Sequence, residues 1–266
     1  MYMEHTPVET WHIAGQPVFV KREDLFAGPP APPLGKLRGV RAILCKLRRE
    51  GKRVVGCFQA TRSRIGHALA AACADMGGFR CIVAYGAFPN MPPPSSALEA
   101  ERLGAHLLPI RNNILAICHR QAQKHVEAKG GWMLPLGGEL DEGIQAVASE
   151  SASLQPSIVE GGTIVVPCGS GVTLAGVVRG LPGNPARIIG VSSGRSPASV
   201  HRCLVRNNVR SLAEIEIRPP HRLYREAEDI AAPFPCDAYY DLKAWQVLTT
   251  EIGLYDSPIL FWNVAG

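Results

Sequence analysis

Short apolar runs alternate with stretches of helical spacing from the first tenth of the chain to its end. The run PVFVKRE at 17–23 reads as a strand, after which Leu37, Val40, Leu44 and Leu47 recur at the spacing of one helix face. The segment RVVGCF at 53–58 returns to a strand pattern. HALAAACADMGG then predicts a helix that stops at a glycine pair, and CIVAY the strand after it. Further on, the pattern predicts helices near 95–103, over 114–129, in LAGVVRGL and near 242–251. It predicts strands in HLLPI, TIVVP, IIGVSS and the closing ILFWNVA, while the short apolar stretch WMLPL leads into a loop at Gly137 and Gly138.

Repeated strand–helix–strand units require crossover connections, so the fold class is α/β with a mainly parallel sheet. The proline-rich pieces GPPAPPLG and FPNMPPPSS read as loops, because proline stiffens the chain and donates no backbone hydrogen bond. There is no internal repeat and no low-complexity tract.

Composition narrows the class without naming a function. With 266 residues, 46% hydrophobic and 19% charged, the chain can bury a substantial core as one large domain or two small ones. Its first residues lack the basic start and apolar run of a signal peptide, and no apolar stretch is long enough to span a bilayer. The eight cysteines form no C-x-x-C pair, which argues against a zinc knuckle or a thioredoxin-like motif, and no metal site is expected. Cys45, Cys57, Cys73 and Cys81 lie in apolar segments, so a cytoplasmic location is expected.

Charge adds one question. The net charge is +5, yet residues 36–53 alone hold eight basic side chains against Glu50. That segment is either a solvated helix face or a contact surface for a polyanion such as nucleic acid.

The most informative local segment is VVPCGSGVTLAG at 165–176, where a strand runs into a small glycine-rich turn and opens a helix. Such a turn can wrap a phosphate with backbone N–H groups at the positive end of the helix. It is not a Walker loop, since no Gly-Lys-Ser/Thr follows, and it does not match the dinucleotide glycine pattern closely. A tight strand–helix turn with no ligand remains the alternative.

Lys21-Arg22-Glu23-Asp24-Leu25, followed by Gly35-Lys36-Leu37-Arg38, resembles the fold-type II pyridoxal-phosphate enzymes. The likeness is to the branch of 1-aminocyclopropane-1-carboxylate deaminase and D-cysteine desulfhydrase. It continues through Leu134-Pro135-Leu136-Gly137-Gly138, Ile189-Gly190-Val191, Tyr240-Asp241-Leu242-Lys243 and Ile259-Leu260-Phe261. The resemblance implies two open, mainly parallel-sheet lobes with the cofactor in the cleft between them. The large lobe would comprise 1–51 plus 137–266 and the small lobe 52–136. It implies that Lys36 holds pyridoxal 5'-phosphate as a Schiff base and then moves protons at the substrate α-carbon. Gly169, Ser170, Gly171, Val172 and Thr173 would hold the phosphate. Ser63 would contact the substrate carboxylate or act as a second nucleophile, unless it only caps a helix. Asp241 would pair with the pyridine nitrogen, and Tyr240 would pack near cofactor or substrate. A homodimer is common in the family.

Three positions depart from the pattern. Gly35 stands where the family has an asparagine before the lysine, and Arg64 replaces the asparagine that binds the cofactor's 3-hydroxyl. Val264-Ala265-Gly266 replaces a hydroxyl residue and two glycines. Arg64 would still contact the cofactor's phenolate oxygen, or capture a substrate anion. The chain is also shorter than the family, chiefly between Ser193 and Asp237, which implies a more open site. Three functions follow: a lyase or deaminase acting on a small amino acid; the same chemistry on an amino acid attached to an anionic carrier such as modified nucleic acid; or a non-catalytic relative that binds the cofactor or a partner. Arg62, Arg64 and the basic segment motivate the second.

Overall fold

A computed structural model describes residues 5–26 and 34–265. Along the chain, strands β1 (Val8–Ile13) and β2 (Gln16–Arg22) are followed by helix α1 (Lys36–Arg49). Then come β3 (Val54–Gln59), α2 (Ile65–Met76), β4 (Arg80–Gly86), α3 (Ser95–Arg102), β5 (His106–Ile110), α4 (Leu115–Glu127) and β6 (Trp132–Met133). The remainder is α5 (Asp141–Ala152), β7 (Thr163–Cys168), α6 (Val172–Gly180), β8 (Arg187–Ser192), α7 (Pro197–Arg206), β9 (Glu214–Arg218), α8 (Asp241–Glu251) and β10 (Ile259–Asn263). The loop expected over GPPAPPLG falls largely on 28–33, outside the described residues, as does Gly266.

The chain divides into two compact units. One contains Lys36–Gly143, the other the N-terminal strands, Gly35 and Ile144 onward. The first is built on a four-stranded sheet in the order β5-β4-β3-β6, all parallel. Phe58, Ile82, Ala84 and Met133 from its strands pack with Cys118, Ala122 and Val126 of α4. The apolar stripe of α1 is buried too, with Leu37, Val40, Ile43, Leu44 and Leu47 inward. One helix face therefore carries the core while its basic residues point away from it.

The second unit has a six-stranded sheet in the order β1-β2-β10-β7-β8-β9, in which only β1 and β2 pair antiparallel. Its central strands are covered on both faces, which explains their near-continuous apolar runs. Ile164, Val166, Leu260 and Trp262 join one core with Leu174 and Val177, while Val165, Ile259 and Phe261 join the other with Phe234, Trp245 and Leu248. The alternation is the period-two geometry of a strand.

Besides the two-residue β6, four elements carry no prediction from the periodicity. β1 is an edge strand whose residues alternate between exposed and half-buried, so its apolar signal is weak. In α5 the glycine at 143 and a run of small residues dilute the helical stripe. β9 reads EIEIR, half charged, and α7 declares itself only through Ser196-Pro197, where Ser196 accepts the Ser199 N–H at the helix start.

Candidate active site

The glycine turn at 169–171 joins the carboxyl end of β7 to α6. Gly171 has φ +99°, a left-handed conformation, and a Cβ there would lie 3.0 Å from Cys203 Cβ. The first N–H groups of α6 have no intrahelical acceptor, and the N-cap residue, Gly171, has no side chain to cap them. This leaves a ring of backbone donors at the positive end of a nine-residue helix, which suits a phosphate. Beside the turn, Ser193 N–H donates to the Cys168 carbonyl at 2.9 Å. The Ser193 hydroxyl is buried and meets no hydrogen-bond partner among the described residues. A buried orphan hydroxyl next to this donor-lined turn suits a further hydrogen bond to a bound group.

Tyr240 packs against this turn. A Cβ on Gly169 would sit 3.2 Å from Tyr240 Cε1, and one on Gly194 would meet the same atom at 3.2 Å. Two glycines therefore make room for one ring. Tyr240 Oη donates to Tyr224 Oη at 2.9 Å, the two rings meeting edge-on at 5.8 Å. Burial, reinforced by Tyr224, pushes the Tyr240 phenol far above the ordinary tyrosine range, so it stays protonated. Tyr224 lies on the irregular segment before α8, held by the buried Lys243, whose Nζ donates to the Leu223 carbonyl at 2.5 Å. No periodic pattern marks Tyr224 or Ser193, and the sequence reading missed both.

Asp241 opens α8 and is wholly buried, accepting the Val264 N–H at 2.7 Å. The Val264 carbonyl in turn accepts the Gly35 N–H at 2.9 Å. Lys36, next in the chain, is the half-buried first residue of α1. A Cβ at position 35 would approach Val264 O to 3.0 Å and Glu23 Cβ to 3.1 Å, so glycine fits here as an asparagine would not without local shifts.

Ser63 and Arg64 occupy the turn between β3 and α2. Ser63 Oγ accepts the Ile65 N–H at 3.3 Å, and the buried Gln59 accepts the Gly66 N–H at 2.9 Å. Ser96 ties the turn down, its hydroxyl accepting from Gln59 and donating to the Ser63 carbonyl. Arg64 is the half-buried N-cap residue of α2.

Two sequence features have structural work of their own. The Lys21–Asp24 run is buried. Lys21 pairs with Glu150, Arg22 forks onto Asp24 at 2.9 and 2.8 Å, and Glu23 accepts from Thr6 at 2.6 Å. In the basic segment, Arg41 pairs with Asp75, Lys46 with Glu142 at 2.6 Å, and Arg48 caps the end of α2 through the Met76 and Gly77 carbonyls. Much of that positive charge is therefore engaged within its own unit. Among the described residues, no helix is long and apolar enough to cross a membrane.

Comparison with known proteins fits this geometry. A family profile described as pyridoxal-phosphate dependent enzyme matches residues 3–232. A glycyl-dTMP PLP-dependent decarboxylase of Pseudomonas phage M6 is 32% identical over 283 residues, covering 99% of each chain. Among solved structures, an ACC deaminase homologue superposes with a TM-score of 0.80 at 18% identity, covering 98% of this chain and 89% of its own. A pyridoxal 5'-phosphate-dependent aspartate racemase gives 0.71 at 16% identity, covering 100% and 91%. At such identities the two structures speak to the fold alone. The donor-lined turn, the orphan hydroxyl of Ser193 and the buried Asp241 suit a phosphate-bearing pyridine ring. The chain belongs to the pyridoxal-phosphate-dependent enzymes of fold type II, with pyridoxal 5'-phosphate as its cofactor.

Proposed function

We propose that this enzyme decarboxylates an amino acid carried on a nucleotide. The observation that carries the reading is the 32% identity, across 99% of the chain, to a protein named for that reaction on glycyl-dTMP. A lyase or deaminase acting on a free amino acid is the competing reading, but it rests on structural neighbours at 18% identity and below.

Bound at the site, the cofactor supplies an electron sink for the pair left on the α-carbon when carbon dioxide departs. The protein's groups take the remaining tasks. The backbone N–H groups at 169–173, with Ser170 and Thr173, hold the phosphate. Asp241, buried and already ordered by Val264, pairs with the ring nitrogen and keeps it protonated. Lys36 carries the cofactor and then returns a proton to the carbon that lost its carboxyl group. Tyr240, its hydroxyl fixed by Tyr224, packs beside the phosphate turn and excludes water from it. Ser63 and Arg64, at the N-terminal end of α2, face the substrate. Arg64 stands where a neutral asparagine serves in the resembling branch, and a fixed guanidinium there suits a substrate anion.

The test is carbon dioxide release from carboxyl-labelled substrates by the cofactor-loaded enzyme. Glycyl-thymidine monophosphate should release label, whereas free glycine and 1-aminocyclopropane-1-carboxylate should release none. Ammonia or sulfide production from free amino acids, with no release from the nucleotide, would overturn the proposal.

A further inference from the structure

Three neighbouring loops leave one edge of the four-stranded sheet. β3, β4 and β5 run parallel, with Gln59 opposite Tyr85 and Gly86 opposite Ile110, so residues 60–64, 87–94 and 111–114 all follow carboxyl ends. The Ala87 N–H donates to the Ile110 carbonyl at 2.9 Å, and the Phe88 ring comes within 3.6 Å of where a Gly86 Cβ would be. Ten large apolar side chains are exposed among the described residues. Five of them cluster here: Phe88, Met91, Ile114, Leu115 and Ile117. Phe88 is 42% and Met91 61% exposed. Scattered exposed apolar residues are ordinary, but a group on one edge marks a contact surface.

Charge identifies what the surface contacts. The three loops carry Arg62, Arg64 and Arg111 and no aspartate or glutamate; the acids that follow β6, Glu139, Asp141 and Glu142, come after the strand on the far side of β3. An exposed aromatic ring with arginines on the neighbouring loops is the chemistry of base stacking combined with phosphate contact. The edge also bears the Ser63 turn.

Resting on the carrier-linked reading above, we infer that this edge docks a single DNA strand bearing the amino acid, with one base stacked on Phe88 and flanking phosphates on Arg62 and Arg111. A base offers its face to Phe88 only when unstacked, so the strand binds single or with the nucleotide turned out of its duplex.

The experiment is fluorescence anisotropy of the cofactor-loaded full chain with a short single-stranded thymidine oligonucleotide across a salt series. Phe88→Ala should weaken binding about 5- to 100-fold, as loss of one stacked base does, and Phe88→Trp should restore it. Arg62→Ala and Arg111→Ala should each lower the slope of log affinity against log salt by about 0.7. Arg49→Ala, on the exposed face of α1, should leave both unchanged. Affinity insensitive to Phe88 and the two arginines, or carried by Arg49, overturns the inference. So does a dimer of the unliganded protein that dissociates in Phe88→Ala and Ile114→Ser, since the patch then belongs to a second copy. Decarboxylation of the mononucleotide together with patch-independent oligonucleotide binding overturns the docking edge and leaves the reaction standing. Patch-dependent binding without nucleotide turnover supports the docking edge and removes the reaction.

Discussion

Gly35 and Asp241 are hydrogen-bonded to the same residue: the Val264 carbonyl accepts the Gly35 N–H at 2.9 Å, and the Val264 N–H donates to Asp241 Oδ1 at 2.7 Å. The carboxylate assigned to the ring nitrogen and the residue before the assigned lysine are thus fixed by the backbone of one residue. Two departures from the family pattern, Gly35 and Val264, meet in this link. Restoring the asparagine at 35 alone should therefore harm the protein. Gly35→Asn is expected to cost about 1–3 kcal/mol, the usual penalty of overpacking, read as a lower urea midpoint. An unchanged midpoint with undiminished cofactor affinity would contradict the close approach to Val264.

Asp241 separates charge from hydrogen bonding. Asp241→Asn still offers an oxygen to the Val264 N–H, so the fold should hold, while loss of the charge-assisted bond to the ring nitrogen should lower kcat about 10- to 100-fold. Asp241→Ala should in addition leave a buried N–H without an acceptor and lose about 1–3 kcal/mol of stability. Steady-state kinetics and denaturation on the two variants check both parts.

Tyr240 governs alkaline stability. Its phenol is held well above the ordinary value of 10.0 by burial, so above that pH the unfolded chain loses a proton that the folded chain keeps. Its contribution is fully present below about pH 10 and is lost progressively as pH rises further. Urea midpoints should fall between pH 9 and pH 11, and Tyr240→Phe should flatten that fall. An equally steep fall in the variant would remove the assignment.

Lys243 acts in the opposite sense. Burial lowers its pKa, so approaching its ordinary 10.5 the unfolded chain binds a proton that the folded chain has released, and stability from this group rises with pH. Lys243→Met should abolish that rise. It should also free the carbonyls of Arg222 and Leu223 that fix Tyr224, lowering kcat several-fold with the cofactor absorbance intact. A variant with normal kcat would show that Tyr224 needs no such anchor.

Periodicity made the sheets legible wherever strands are buried on both faces, as in TIVVP and ILFWNVA, and failed where an element is half-exposed, as in VETWHI and EIEIR. The glycine turn could be read because strand, small residues and helix follow one another within a dozen residues. Tyr224 and Ser193 could not. One sits on an irregular segment and reaches Tyr240 only through the fold, and the other is an ordinary serine until its burial is known. The charge excess of 36–53 was visible, but Asp75, Glu142 and the end of α2, which engage it, lie 28 residues or more from their partners in sequence.

The proposed chemistry centres on Lys36. Two other lysines, Lys21 and Lys243, are fully buried, yet the first is paired with Glu150 and the second with backbone carbonyls. Borohydride reduction of the cofactor-loaded protein, followed by peptide mass mapping, reads directly which lysine carries the cofactor. The expected result is the pyridoxyl group on Lys36 and a protein without the reducible absorption band in Lys36→Ala. Label on Lys21, Lys243 or any other lysine, or an undiminished band in Lys36→Ala, would contradict it.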